Sequence, residues 1–225
     1  MTQERTQKAI FLFWFPLAAT WLMMSVEGPF LAAIIARLPD PRFNLAAYGV
    51  AYAFALLIEA PVIMIMSAST ALAENALNFQ RLRRFAWTLN GSVTGIQLIL
   101  LLPPVFRTVM VDLIALPPEV VRLAYGALWL LLPWPGSIGH RRLYQGVLIR
   151  DGYTRLVAVG TVIRLTTMGT TGLLLFLFFE IPGAMVGAAS LSVGVVAEAL
   201  ASHLMARSSV RRLPPVPAGE VGSPD

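Results

Sequence analysis

Four ionisable residues stand inside long apolar runs of this sequence: Glu27, Glu59, Arg164 and Glu198. On insertion scales a central acid or base costs roughly 2.5–3.5 kcal/mol, so each needs a partner, a wet cavity or a proton. Three carboxyls and one guanidinium allow two arrangements. They can line a polar passage and bind protons, cations or substrate, or Arg164 can neutralise one acid while another stays buried and protonated. A carboxyl in a low-dielectric site can hold its proton at neutral pH, which a proton-coupled switch requires. Hydroxyls and amides accompany them. Thr161, Thr167 and Thr171 fall near the helical face of Arg164, and Asn90, Thr94 and Gln97 form a second stripe. Such stripes are expected to face protein or water rather than lipid.

Other chemistry finds little support. There is no H-E-x-x-H, Walker A loop, G-x-S-x-G or dinucleotide fingerprint, so the chain reads as no enzyme. Gly136-Ser137-Ile138-Gly139-His140 reads as a turn at the end of an apolar run. Zero cysteines exclude thiol chemistry and Cys-ligated metal, and His140 and His203 are far apart in sequence, so no metal site is expected.

The elements that must hold these residues are helices in a bilayer. Of 225 residues 57% are hydrophobic and 13% charged, against about a quarter charged in ordinary soluble domains. A crossing helix needs roughly 20 apolar residues. Runs of that kind lie at about 9–36, 44–72, 85–106, 119–138, 155–179 and 183–206, none with the alternation of a barrel strand. The fold class is therefore all-α, polytopic, with six transmembrane helices. The joints are Leu38 to Pro41, Asn78 to Arg84, Leu116 to Glu119, His140 to Gly152 and Glu180 to Gly183. Residues 1–9 form an N-terminal segment, 10–206 the helical unit, and 207–225 a Pro/Gly tail that reads as disordered.

Basic residues set the orientation. Arg5, Lys8, Arg81, Arg83, Arg84, Arg141, Arg142, Arg150, Arg155, Arg207, Arg211 and Arg212 fall on one side. Only Arg37, Arg42, Arg107 and Arg122 fall on the other. A bias of twelve to four places both termini in the cytoplasm, in the cell's inner (plasma) membrane, and explains the net charge of +5 without nucleic acid. Trp14, Trp87, Trp134 and Tyr153 near inner ends, with Tyr48 and Phe179 near outer ends, suit headgroup positions. Gly91-x-x-x-Gly95 and Gly183-x-x-x-Gly187 are expected to pack within the bundle. Gly28-Pro29 should bend the first helix just after Glu27.

Phe15-Pro16-Leu17 through Glu27, then Leu45-Ala-Ala-Tyr-Gly-Val-Ala-Tyr52 and Pro61 onward, resemble the start of a lobe in the multidrug and toxic compound extrusion (MATE) transporters and their wider flippase superfamily. Arg142-Leu-Tyr-Gln-Gly146 is similar to the segment between the fourth and fifth helices of such a lobe, and Gly183-Ala-Met-Val-Gly-Ala-Ala189 to the entry of the sixth. Glu27-Gly-Pro-Phe and the Leu45–Tyr52 segment look most like the progressive ankylosis branch, which is associated with anionic metabolites. The resemblance implies one six-helix lobe of a fold that normally pairs two, hence a parallel homodimer of this chain. It further implies alternating-access, ion-coupled export of a small organic solute. Glu27, eleven residues after Pro16, matches the family's first-helix acid and, with Glu59, would carry the proton or sodium ion. Arg164, Glu198, Thr161, Thr167, Thr171, Asn90 and Gln97 would meet the solute. With three acids against one arginine, the cleft is expected to favour cations or protons. A lipid flippase of the same superfamily and a non-transporting membrane scaffold are the competing readings.

Overall fold

The computed structural model describes residues 7–215, and every regular element among them is helical. The first rod comprises α1 (Gln7–Ser25) and α2 (Glu27–Ile35), divided at Val26. Pro29 supplies the reason. It has no N–H for the Ser25 carbonyl, and its ring crowds that carbonyl, so the helix yields one turn earlier. Val26 turns its own N–H to Met23 O at 3.2 Å, and Glu27 becomes the first residue of α2.

The second rod is α3 (Pro41–Ile63) and α4 (Ile65–Leu72). The third is α5 (Ala76–Leu100), which ends before Pro103-Pro104 and bends by 72° into α6 (Pro103–Arg107) and a π-helical turn, Thr108–Leu113. α7 (Pro118–Leu130) and α8 (Trp134–Arg150) make the fourth, α9 (Thr154–Phe178) the fifth and α10 (Gly183–Arg211) the sixth.

Asp40, Glu119, Arg122 and Glu180 gather at one end of the bundle. At the other, Arg150 approaches Glu74 at 3.7 Å, Ala76 N–H reaches Pro214 O at 3.0 Å, and Arg212 donates to the Tyr153 hydroxyl at 3.3 Å. The start of α1 lies beside the turn at Gly152–Arg155 at this same end.

Four rods are long and apolar enough to cross a membrane, the first, second, fifth and sixth, and five if the bent α5–α6 pair counts as one. The expected six spans are thus matched by four or five. The α7–α8 rod falls short because it breaks at Leu131–Pro133 into helices of 13 and 17 residues, and α8 carries His140, Arg141, Arg142 and Gln145.

Two expected joints are helix instead. Asn78 to Arg84 lies within α5, whose start is fixed by Asn75: its side chain accepts the Asn78 N–H at 2.8 Å, an N-cap that lets the helix begin before the arginines. His140 to Arg150 lies within α8, as does the Gly136–His140 segment read as a turn. Only Asp151, Gly152 and Tyr153 separate α8 from α9, with Gly152 at φ +81°.

The central helix is α10, which packs on α2, α3, α7, α8 and α9. Its small residues allow this closeness. A Cβ at Gly187 would stand 2.8 Å from Ile35 and 2.9 Å from Tyr48, and one at Gly194 would stand 3.0 Å from the Arg164 carbonyl. Asn44 locks the end opposite the chain termini: it donates to Pro39 O and Asp40 O and accepts the Ala184 N–H, joining α3 to α10. Gly91 and Gly95 depart from expectation, since a Cβ at either meets nothing within 4 Å. They line an outward groove of about 580 Å³ between α5, α8 and α10. Trp134 and Tyr48, expected near headgroups, are buried in the bundle, whereas Trp14, Trp87 and Phe179 are exposed.

Candidate functional site

Glu27, Glu59, Arg164 and Glu198 come from four separate rods and converge on one buried cluster, each at most 6% exposed. The break at Val26 presents Glu27 to α9, where Arg164 Nη2 donates to its Oε2 at 2.5 Å. Arg164 Nη1 also lies 3.7 Å from Glu198 Oε2, and its guanidinium carbon sits 5.4 Å from the Trp134 ring centroid, a cation–π geometry.

Glu198 is the hub. Its Oε2 accepts from Arg141 Nη1, while its Oε1 accepts from Gln145 Nε2 at 3.2 Å and from Thr161 Oγ1 at 3.3 Å. Buried ions are tolerable only with such saturation, because desolvation of each ion costs several kcal/mol. Glu59 differs. Its hydrogen-bond partner is the neutral Trp134 Nε1–H, and no guanidinium lies within salt-bridge reach among the described residues. Tyr52 packs edge-on to Trp134 and stacks on Tyr48, which walls this side with aromatic rings.

Arg141 is the main correction. Assigned from sequence to a cytoplasmic loop, it is 2% exposed in the core of the cluster. Trp134, Gln145 and the half-buried Arg142 are further members of the site beyond the residues expected from sequence. A signal exists for Trp134, Arg141 and Gln145: with Ile138 and Leu148 they recur at i, i+4, i+7, i+11 and i+14, one continuous helical face that leaves Arg142 out. The polar composition of the segment hid it.

Thr161 joins the cluster, but no hydrogen bond among the described residues ties Thr167 or Thr171 to it. Asn90 and Gln97 lie elsewhere, where α5 meets α7 and α8. Asn90 presses its amide against Gly139, and Gln97 Nε2 donates to Leu128 O at 3.1 Å. That carbonyl lost its helical partner when Leu132 N–H turned to Trp129 at the break before Pro133. Gln97 therefore repairs a kink. The two histidines meet after all: His140 Nε2 and His203 Nδ1 are 3.2 Å apart with rings stacked 6° from parallel. No third metal-ligating side chain joins them among the described residues.

The Arg141 and Glu198 side also borders a small cavity of about 100 Å³ lined by Thr20, Trp21, Met66, Arg142 and Gln145. Chemically, the arrangement can hold paired charges in oil, leave one carboxyl free to take up a proton, and expose guanidinium surface to a small space. No family model matches the chain, and neither a curated protein nor a solved structure matches it.

Proposed function

We propose that this chain is a secondary active transporter of the inner membrane. In this reading all six rods cross with both termini cytoplasmic, and a small organic solute is exported by alternating access in exchange for an ion. The observation that carries the reading is the buried charge cluster, in which Glu59 alone of the three carboxyls has no guanidinium within 4 Å among the described residues. In a sealed structural core an unmatched acid has to stay protonated and contributes no charge, whereas a coupling site needs a group that can be charged in one state and neutral in another.

Glu27 is held by Arg164, so the coupling role moves from the first-helix acid to Glu59, and a proton fits a carboxyl facing an indole N–H better than sodium, which needs several oxygen ligands. Three guanidiniums, Arg141, Arg142 and Arg164, now stand near three carboxyls, which removes the expected preference for cationic solutes. Pairing of two copies belongs to the same reading, and the open Gly91–Gly95 face is suited to close helix approach.

The test is flux in proteoliposomes, with a panel of labelled small organic anions and cations under an imposed pH or sodium gradient. Wild type is expected to move at least one solute when protons are driven. Glu59→Gln is expected to lower gradient-driven flux at least tenfold while solute exchange without a gradient persists. Gradient-driven flux unchanged in Glu59→Gln would remove the coupling assignment. The scaffold reading draws on the closure of Glu27 onto Arg164. It predicts no flux for any solute, with Glu27→Gln affecting assembly alone.

A further inference from the structure

The small cavity beside Glu198 shares Arg141 and Gln145 with the charge cluster and adds Arg142, which no carboxylate in the cluster holds. Its floor is α8, which contributes Arg141, Arg142 and Gln145, and its walls come from Leu17, Trp21 and Met24 of α1 and Met66 of α4. α1 packs on α2 and α9, and α4 on α5 and α8, with no extended packing of α1 on α4. The cavity therefore lies between two rods that share no extended contact.

Charge decides what it would take. Glu198 borders the cavity, but its oxygens are occupied by Arg141, Gln145 and Thr161. Glu27 holds Arg164. Arg142 has no carboxylate within 4 Å among the described residues; its one hydrogen bond is from Nη1 to the weak acceptor Met66 Sδ at 3.5 Å. Among the described residues the Nε atoms of Arg141 and Arg142 also lack an acceptor, but both are fully buried, so the donors free to face the cavity are the terminal N–H groups of the half-buried Arg142. Guanidinium N–H donors left over in a confined space match an oxyanion better than any other ligand. Size narrows it further. At about 100 Å³ the cavity is well below the roughly 300–1,000 Å³ of pockets for drug-sized ligands, so it admits a single phosphate or carboxylate group.

We propose that this cavity binds a small oxyanion, phosphate or carboxylate, held by Arg142 with Arg141 and Gln145, either as a free ion or as the headgroup of a lipid whose chains leave between α1 and α4. Arg142 lies eight residues before the end of α8, roughly 12 Å below it at 1.5 Å per residue. A headgroup reaching it has left the interface and entered the bundle. Glu59 does not line the cavity, and the test needs no gradient, so it succeeds or fails separately from the coupling assignment.

The experiment measures thermal unfolding of the full chain in nanodiscs of phosphatidylcholine alone, in discs containing phosphatidylglycerol, and in phosphatidylcholine discs titrated with inorganic phosphate or acetate. Native mass spectrometry counts retained lipid. Wild type is expected to melt several degrees higher with one of these ligands. Stabilisation by phosphatidylglycerol with a single retained lipid identifies the headgroup source, and stabilisation by phosphate or acetate identifies the free ion. Arg142→Gln should abolish the shift, Arg142→Lys should retain part of it, and Arg150→Gln, an exposed base at the same end, should leave it intact. No shift with any ligand, or equal loss in Arg142→Gln and Arg150→Gln, overturns the proposal, the latter because general attraction to an anionic surface would then explain it.

Discussion

Glu198 and Glu27 are both buried carboxylates beside Arg164, yet they do different amounts of structural work. Glu198 accepts from three side chains, Arg141, Gln145 and Thr161, and stands 3.7 Å from Arg164. Glu27 has one partner and a second oxygen, Oε1, with none. Removing one member of a buried pair leaves an uncompensated charge and costs about 3–5 kcal/mol. Glu198→Ala is therefore expected to lower thermal stability in detergent by several degrees more than Glu27→Gln, whose amide oxygen still accepts from Arg164. Adding Arg141→Met to Glu198→Ala should recover part of the loss, because the stranded guanidinium goes with it. Equal destabilisation by Glu198→Ala and Glu27→Gln would show that Glu198 is not the hub. The four intramembrane charges could be picked out in the sequence because charge in an apolar run stands out by type. Their pairing could not, since Glu27 and Arg164 are separated by 137 positions.

Among the elements, α8 departs most from what its composition suggests. Polar residues that argued for a loop belong to a buried helix, because α4, α5 and α10 shield them from lipid and Glu198 neutralises Arg141. The long apolar rods that face outward, α1–α2 and α9 above all, are readable because a lipid-facing helix must advertise itself in hydropathy. A helix enclosed by others need not. Helix approach at α8 depends on Gly146, where a Cβ would stand 2.6 Å from the Met66 carbonyl and 2.8 Å from Ser69 Oγ. Backbone cannot step aside as a side-chain tip can. Gly146→Val is expected to separate α4 from α8 and to reduce the yield of folded protein sharply, read by size-exclusion monodispersity and melting temperature. Gly91→Val, which meets nothing within 4 Å, should leave the melting temperature of the single chain unchanged. If it lowers the fraction of cross-linked dimer while the fold persists, the open glycine face is where two copies meet.

At the scale of the whole molecule the question is whether the α7–α8 rod crosses the bilayer with the rest. Moving Arg141 and Arg142 from loop to bundle changes the positive-inside count to ten against four. The bias survives the loss because Arg81, Arg83, Arg84, Arg150, Arg155 and Arg207 to Arg212 still crowd one end. Both termini are accordingly expected in the cytoplasm, with Glu119 and Glu180 outside. The sequence contains no cysteine, so single-cysteine variants report without background. Glu119→Cys and Asp151→Cys bracket the α7–α8 rod, Glu74→Cys and Glu119→Cys bracket the bent third rod, and Glu180→Cys marks the turn before α10; all four positions are exposed. A membrane-impermeant maleimide added to intact cells should label Glu119→Cys and Glu180→Cys, and should reach Glu74→Cys and Asp151→Cys only after permeabilisation. Glu119→Cys and Asp151→Cys labelling from the same side would mean that the α7–α8 rod turns back. Arg141 and Arg142 would then reach the cluster from a re-entrant segment, and the number of crossings would fall below six.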